Sequence, residues 1–285
     1  MSRALDYIQL TKPTIMLLVI FTGATALSLE ESLLSDPFMF ILALVGLYLV
    51  GGSANALNQC LERKIDAKMT RTSARRPLPQ GKISLAGAYV FSILIGLAGV
   101  ALFLTLFNWL SAALALFTVL FYSLFYTLYL KPNTDQNIVI GGIAGAMAPV
   151  IAWAAASGEF SLTPILLFLV VFLWTPAHFW VLALFCKEDY LRVELPMLPI
   201  TRGERSTLKW IVFYSVAVAL ASLSLAVTGA GAIYLLSALI LGAILIQKSI
   251  AILKLRSKRN ERRFFGYSIL YLFGLFSAMM IDGAM

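Results

Sequence analysis

Charge is scarce in this chain. Asp, Glu, Lys and Arg together make up 13% of its 285 residues, against 60% apolar residues, where an ordinary soluble domain carries about 25% charge. With a mean hydropathy of +0.89, a water-soluble fold is excluded and an integral membrane protein is indicated. Cysteine is nearly absent, with only Cys60 and Cys186, which excludes a disulfide scaffold. Both fall in segments placed below on the cytoplasmic side and are expected to be reduced. Period-two alternation is missing as well, and a helix satisfies its own backbone hydrogen bonds in lipid. Helices are therefore the expected spanning form. No linker or low-complexity stretch interrupts the chain, so residues 1–285 read as a single domain.

What is present is a series of long apolar runs. Segments of about 17 to 25 residues can cross a bilayer. Nine such segments fall at 13–29, 37–57, 85–107, 109–130, 138–157, 161–186, 209–229, 231–253 and 264–282. The first carries a small-x-small pair, Ala24 and Ala26, that imitates a secretory cleavage site, but similar runs follow throughout, and it is read as a retained helix. The prediction is an all-α, polytopic bundle of nine transmembrane helices.

Orientation follows from the basic residues, which short loops retain on the cytoplasmic side. With nine spans, all 22 Lys and Arg fall on one side, while Glu30, Glu31, Asp36, Glu159 and Asp282 lie on the other with no basic residue. This predicts a cytoplasmic amino terminus and an external carboxy terminus, in a bacterial or archaeal cytoplasmic (inner) membrane. The net charge of +8 belongs to these loops and does not signal a nucleic-acid partner. The two largest polar loops, 58–84 and 187–208, share the cytoplasmic side and are expected to cap one site. Each follows an even-numbered span at a four-helix interval, which suggests two related halves.

The main chemical signal is Asn58-x-x-x-Glu62-x-x-x-Asp66. On a helix these three oxygen-bearing side chains share a face over about 12 Å, turning by roughly 40° at each step. Magnesium prefers one or two carboxylates together with phosphate oxygens and water, so the ladder suits a metal-bridged diphosphate. Arg71, Arg75 and Arg76 follow with forked donors that match phosphate. The competing reading is a solvated juxtamembrane helix whose carboxylates pair with Arg and Lys at helical spacing. A second polar cluster at Lys187, Glu188, Asp189 and Tyr190 lies on the same side. Facing acidic clusters can hold two metals, although this second loop lacks carboxylates at spacing four.

The ladder with Met69-x-Arg71-Thr72, Arg76-Pro77-Leu78 and Ile83-Ser84 resembles the UbiA superfamily of intramembrane prenyltransferases. Further segments are similar to its protohaem IX farnesyltransferase (haem O synthase) branch. They are Tyr126-Thr127, Leu130-Lys131, Asn137-Ile-Val-Ile-Gly141-Gly142 with Gly145-Ala146, Trp174-Thr175-Pro176 with His178-Phe179-Trp180, Asp189-Tyr190, and Pro196-Met197-Leu198-Pro199. The resemblance implies a nine-helix fold. It also implies a reaction in which farnesyl diphosphate alkylates a vinyl group of haem B, water adds, diphosphate leaves and haem O forms. Haem B, farnesyl diphosphate and the lipid bilayer are the implied partners, and hand-over of product to a haem A synthase or a terminal oxidase stays open.

On that basis Mg²⁺ is expected on Asn58, Glu62 and Asp66, with Asp189 as a further ligand. Arg71, Arg75 or Arg76, Lys131 and Lys187 are expected at the diphosphate. The aromatic run Phe121–Tyr126 either faces the allylic cation or packs outward. His178, the only histidine, lies about 12 Å below the polar mouth. It either meets the haem or bonds a carbonyl freed by Pro176. Gly141, Gly142 and Gly145 favour close helix packing. Two rival functions share these features: a UbiA-type prenyltransferase acting on a quinone precursor or other aromatic acceptor, and a membrane transporter. Charge confined to one face fits a one-sided pocket better than a conduit.

Overall fold

The computed structural model describes residues 3–285. Nine helices among them are long and apolar enough to cross a membrane: α1 (Pro13–Glu30), α2 (Pro37–Leu61), α3 (Leu85–Phe107), α4 (Trp109–Asn133), α5 (Asn137–Ser157), α6 (Leu162–Phe185), α7 (Glu204–Thr228), α8 (Ala232–Lys254) and α9 (Lys258–Gly283). The described residues contain no strand. The chain is an integral, multi-pass membrane protein, as its apolar runs predict. Helices α7 and α9 begin five or six residues before the apolar boundary (about 209 and 264) because their polar first turns continue the helix. At α9 the Ser257 side chain accepts from the Asn260 N–H at 3.1 Å, supplying an N-cap. Pro13 and Pro37 start α1 and α2 at the helix position where a missing N–H costs nothing.

Each span packs on the next in the chain, and α9 closes the ring on α1. Across the ring α2 meets α4, α1 meets α5 and α6 meets α9. Lipid provides no hydrophobic drive for helix association, so close backbone approach and hydrogen bonds carry it. At the α2–α3 seam a Cβ on Gly99 would sit 2.9 Å from Val50 Cγ2, and Ser53 Oγ donates to the Ser92 carbonyl at 2.8 Å. Gly141 has the same role, since a Cβ there would run into the Tyr126 ring, whereas Gly145 faces open space.

Three features shape one end of the ring. A short helix, Arg3–Leu10, lies against α2 and α3. It leads into Lys12, whose left-handed backbone (φ 54°) is uncommon for a residue bearing a Cβ. After α2 come the short helices Arg63–Lys68 and Thr70–Ser73, and after α6 come Lys187–Arg192 and Leu198–Thr201. Part of α4, Phe121–Leu130, is wound as a π-helix, a form that concentrates at functional sites.

Candidate active site

The apolar run of α2 gives way near its end to Asn55, Asn58 and Gln59, all buried. Buried amides must find partners, and these find them on neighbouring segments. Asn55 donates to the Thr11 carbonyl (3.3 Å), Gln59 to the Leu10 carbonyl (2.8 Å) and Asn58 to Thr127 Oγ1 (3.1 Å). The amino-terminal segment and the π-helical part of α4 are thereby tied to α2. Asn58 Oδ1 in turn accepts from Lys12 Nζ at 3.1 Å.

Helix α2 stops at Leu61, and Glu62 joins it to Arg63–Lys68 with φ −90° and ψ 4°. The ladder therefore crosses a break instead of lying on one helix. Its register survives because the Glu62 N–H still donates to the Asn58 carbonyl and the Asp66 N–H to the Glu62 carbonyl, both at 2.9 Å. Asn58, Glu62 and Asp66 are only 2%, 3% and 2% exposed, so the solvated-helix reading is excluded. Nor are their partners neighbours at helical spacing. Lys131 Nζ lies 2.5 Å from Glu62 Oε1, Arg76 pairs with Asp66, and the same Arg76 nitrogen stands 4.0 Å from Glu62 Oε2. The chain thus gathers Lys12, Asn58, Glu62, Asp66, Arg76, Thr127 and Lys131 from four separate segments.

Burial and charge compete in this cluster. Burial pulls the Lys12 ammonium down to about 7, and Arg76 adds to the effect. Burial alone would raise Glu62, but Lys131, Arg76 and Lys12 outweigh it and hold this carboxyl below its ordinary value. For Asp66 burial prevails over Arg76, with the Glu62 charge acting in the same direction, so its carboxyl is raised.

The other expected site residues have different partners. Arg75 is exposed while its neighbour Arg76 turns inward, which separates two arginines that the sequence leaves equivalent. The two oxygens of Asp189 accept from the Thr70 and Arg71 N–H groups, each at 2.9 Å. Burial would raise this carboxyl, but those bonds and Arg192 bring it below its ordinary value. These bonds anchor the Arg71 segment to the second polar loop. Arg71 itself has Nε buried without a partner. Lys187, expected at the diphosphate, is paired with a carboxylate, as Lys131 and Arg76 are. Its Nζ lies 2.9 Å from Glu204, which also pairs with Arg256, and Arg256 reaches the buried Glu261 at 2.6 Å. His178 sits deeper in α6, outside the charged cluster.

The aromatic run of α4 divides. Phe121, Phe125 and Tyr129 line one face, Phe121 tilted against Phe125 and Phe125 stacked on Tyr129, with Phe125 and Tyr129 exposed. Tyr122 and Tyr126 stack on the other at 5.1 Å and 19°, next to Thr127, which accepts from Asn58. Lys12 is the residue that reading the sequence missed as part of the site. Its signal was a lone basic residue directly before a helix-opening proline, here held in a strained backbone of the kind that functional sites retain.

No group of three or more His, Cys, Asp or Glu among the described residues forms a metal cage. Two carboxylates and an amide ringed by cations instead match an ion that completes its shell with phosphate oxygens and water. The donor set therefore fits Mg²⁺ delivered with a diphosphate.

The chain is similar to several known proteins. Protoheme IX farnesyltransferase of Erythrobacter litoralis (strain HTCC2594) is 44% identical over 283 residues, covering 97% of this chain and 92% of that one. Among solved structures, a digeranylgeranylglyceryl phosphate synthase superposes with a TM-score of 0.80 at 20% identity, covering 99% of both chains. A UbiA homolog from Archaeoglobus fulgidus bound to DMAPP and Mg²⁺ gives 0.63 at 16% identity, covering 96% of this chain and 99% of that one. The profile of the UbiA prenyltransferase family matches residues 17–276, and the chain belongs to that family.

Proposed function

We propose that the protein is a protohaem IX farnesyltransferase, which moves the farnesyl group of farnesyl diphosphate onto a vinyl group of haem B to give haem O and diphosphate. The observation that carries the reading is the burial of Asn58, Glu62 and Asp66 amid Lys12, Arg76 and Lys131, in a chain 44% identical to an enzyme of that name. The bond between farnesyl C1 and the diphosphate oxygen breaks, and C1 bonds to the terminal vinyl carbon. The oxygen of water ends on the other vinyl carbon, and its proton leaves with diphosphate.

The chain's residues have defined tasks in this scheme. Bond cleavage leaves an anion and an allylic cation, and preorganised charge aimed at the anion is the largest single contribution available. Lys12, Lys131 and Arg76 each bond a ladder residue and can transfer those bonds to phosphate oxygens, while Arg71 brings a guanidinium with an unpartnered Nε. Asn58, Glu62 and Asp66 are the residues that would hold Mg²⁺, which when bound offsets the charge of the leaving group. The stacked pair Tyr122 and Tyr126 supplies aromatic surface next to Thr127, the partner of Asn58, and a ring quadrupole stabilises a nearby cation. The polar loops 58–84 and 187–208 cap this end, joined by Asp189 and the Arg71 segment. The basic end faces the cytoplasm by the positive-inside rule.

Purified protein supplied with farnesyl diphosphate, Mg²⁺ and either haem B or an aromatic acid tests the reading by mass spectrometry. Haem O from the first mixture and no prenylated product from the second is the expected result. A prenylated aromatic acid with haem B untouched would overturn it in favour of the quinone-precursor rival.

A further inference from the structure

Lys248 is a cation inside an apolar stretch of α8, and it precedes the helix end at Lys254 by about 9 Å of helix. Helix α8 carries no Asp or Glu. On α9, Glu261 is committed to Arg256 at 2.6 Å, and Asp282 bonds the Gly231 and Tyr234 N–H groups at the opposite end. No ion pair with a described residue holds the half-buried Lys248 ammonium. Instead its Nζ sits 5.2 Å from the centroid of the Tyr267 ring. The ring face attracts a cation but supplies no full negative charge, and a lysine within a span that lacks a counter-ion marks a site where one is to be found.

The antiparallel pair α8 and α9 holds a fixed register around this lysine. Nearest the loop, Asn260 Nδ2 donates to the Leu255 carbonyl at 2.9 Å. Further in, Lys248 meets Tyr267, and beyond them a Cβ on Gly274 would lie 3.2 Å from Leu241. Tyr267 Oη donates to the Leu241 carbonyl at 3.0 Å, which fixes its ring. Arg263 precedes Tyr267 by four residues, on the same face of α9 and one turn nearer the loop. It is exposed and outside every ion pair. Gly266 and Leu270 continue that face at helical spacing, away from the loop. Leu270 is 56% exposed, and a Cβ on Gly266 would meet nothing within 4 Å. Two cations thus stand at the head of a shallow apolar track on the lipid side of the bundle.

The anions available at that depth are lipid phosphates. We propose that Lys248 and Arg263 hold the headgroup phosphate of one anionic phospholipid, whose acyl chains lie along Gly266 and Leu270. A lysine carries its ammonium toward the interface on an apolar stem, and an arginine offers forked donors that match phosphate oxygens. The neighbours select the headgroup. Lys254, Lys258, Arg259 and Arg262 are exposed and outside every ion pair. Their field repels the cationic group of a zwitterionic lipid and favours a headgroup of net negative charge. The bound phosphate bridges α8 to α9, and the site shares no residue with the charged cluster that holds Glu62 and Asp66.

Native mass spectrometry of the full chain in detergent reads lipid occupancy directly. Phosphatidylglycerol and phosphatidylcholine with identical chains are the two probes. One phosphatidylglycerol per chain should bind in preference to phosphatidylcholine. Lys248→Gln combined with Arg263→Gln should weaken phosphatidylglycerol binding by about 30-fold or more, through the loss of two charge-assisted contacts, and remove the preference. Lys258→Gln combined with Arg259→Gln takes the same charge from the loop. It acts only through a screened field and should cost less than about fivefold. Lys248→Arg, which keeps the charge, should retain the lipid.

Equal losses from the two double variants overturn the site in favour of a diffuse basic surface. Equal occupancy of the wild-type protein by the two lipids overturns it as well. Glycerophosphoglycerol, which carries the headgroup without chains, should compete only in large excess. Competition at equal concentration reveals a site for soluble phosphate and overturns the lipid assignment. If Lys248→Gln fails to fold, Arg263→Gln set against Arg259→Gln still decides the matter, with the greater loss expected at Arg263.

Discussion

The two polar loops at the charged end hold their carboxylates in different ways. Glu62 and Asp66, from the first, are paired with Lys131 and Arg76, side chains that can swing to another anion. Asp189, from the second, is bound by two backbone N–H groups that cannot leave without unfolding the Thr70–Ser73 turn. Equal charge and comparable burial thus serve different ends. A carboxylate whose partners are mobile cations is free to exchange them for a metal and a diphosphate, whereas one capped by backbone holds its neighbours in place.

The comparison is broken most severely at Asp66. Asp66→Ala leaves Arg76 without its partner and removes a metal-binding oxygen, and haem O formation is expected to fall at least about 100-fold, measured by mass spectrometry of the haems. Asp189→Asn, if the carboxylate only anchors the Arg71 segment, should be milder. KM for farnesyl diphosphate should rise about tenfold, the loss of roughly 1.4 kcal/mol of charge-assisted hydrogen bonding, with the dependence on Mg²⁺ concentration unchanged. A shifted Mg²⁺ dependence would return Asp189 to the metal.

Lys12 sharpens the contrast through pH. Its ammonium is held at about 7, and the protonated form is the one that binds an anion. Affinity for inorganic diphosphate, followed by calorimetry, should therefore decline as pH rises above about 7. Lys12→Arg, charged at every accessible pH, should flatten the profile. The smallest effect belongs to Arg75→Ala, which should leave kcat/KM within about twofold because an exposed charge contributes little. Arg76→Ala should resemble Asp66→Ala.

The ends of the bundle carry the same lesson on a larger scale. Every ion pair among the described residues joins groups at the basic end. At the other end Asp282 accepts from the N–H groups of Gly231 and Tyr234, and Asp36 caps α2 through the Met39 N–H. Carboxylates there terminate helices, and a lipid-facing bundle needs no more of them.

Much of this was legible in the chain itself. Nine apolar runs determine nine helices, because a backbone surrounded by lipid must satisfy its hydrogen bonds locally and residue type alone decides which stretch can do so. The spacing of Asn58, Glu62 and Asp66 survived the break at Glu62, since helical hydrogen bonds continue through it. What residue order could not decide was the set of partners. Arg76 and Lys131 reach the ladder from 10 and 69 residues away, Lys12 reaches Asn58 from 46, and Lys187 reaches Glu204 from 17. Such pairings depend on how the ring of helices closes and on which face each span turns inward, and packing over the whole molecule sets both.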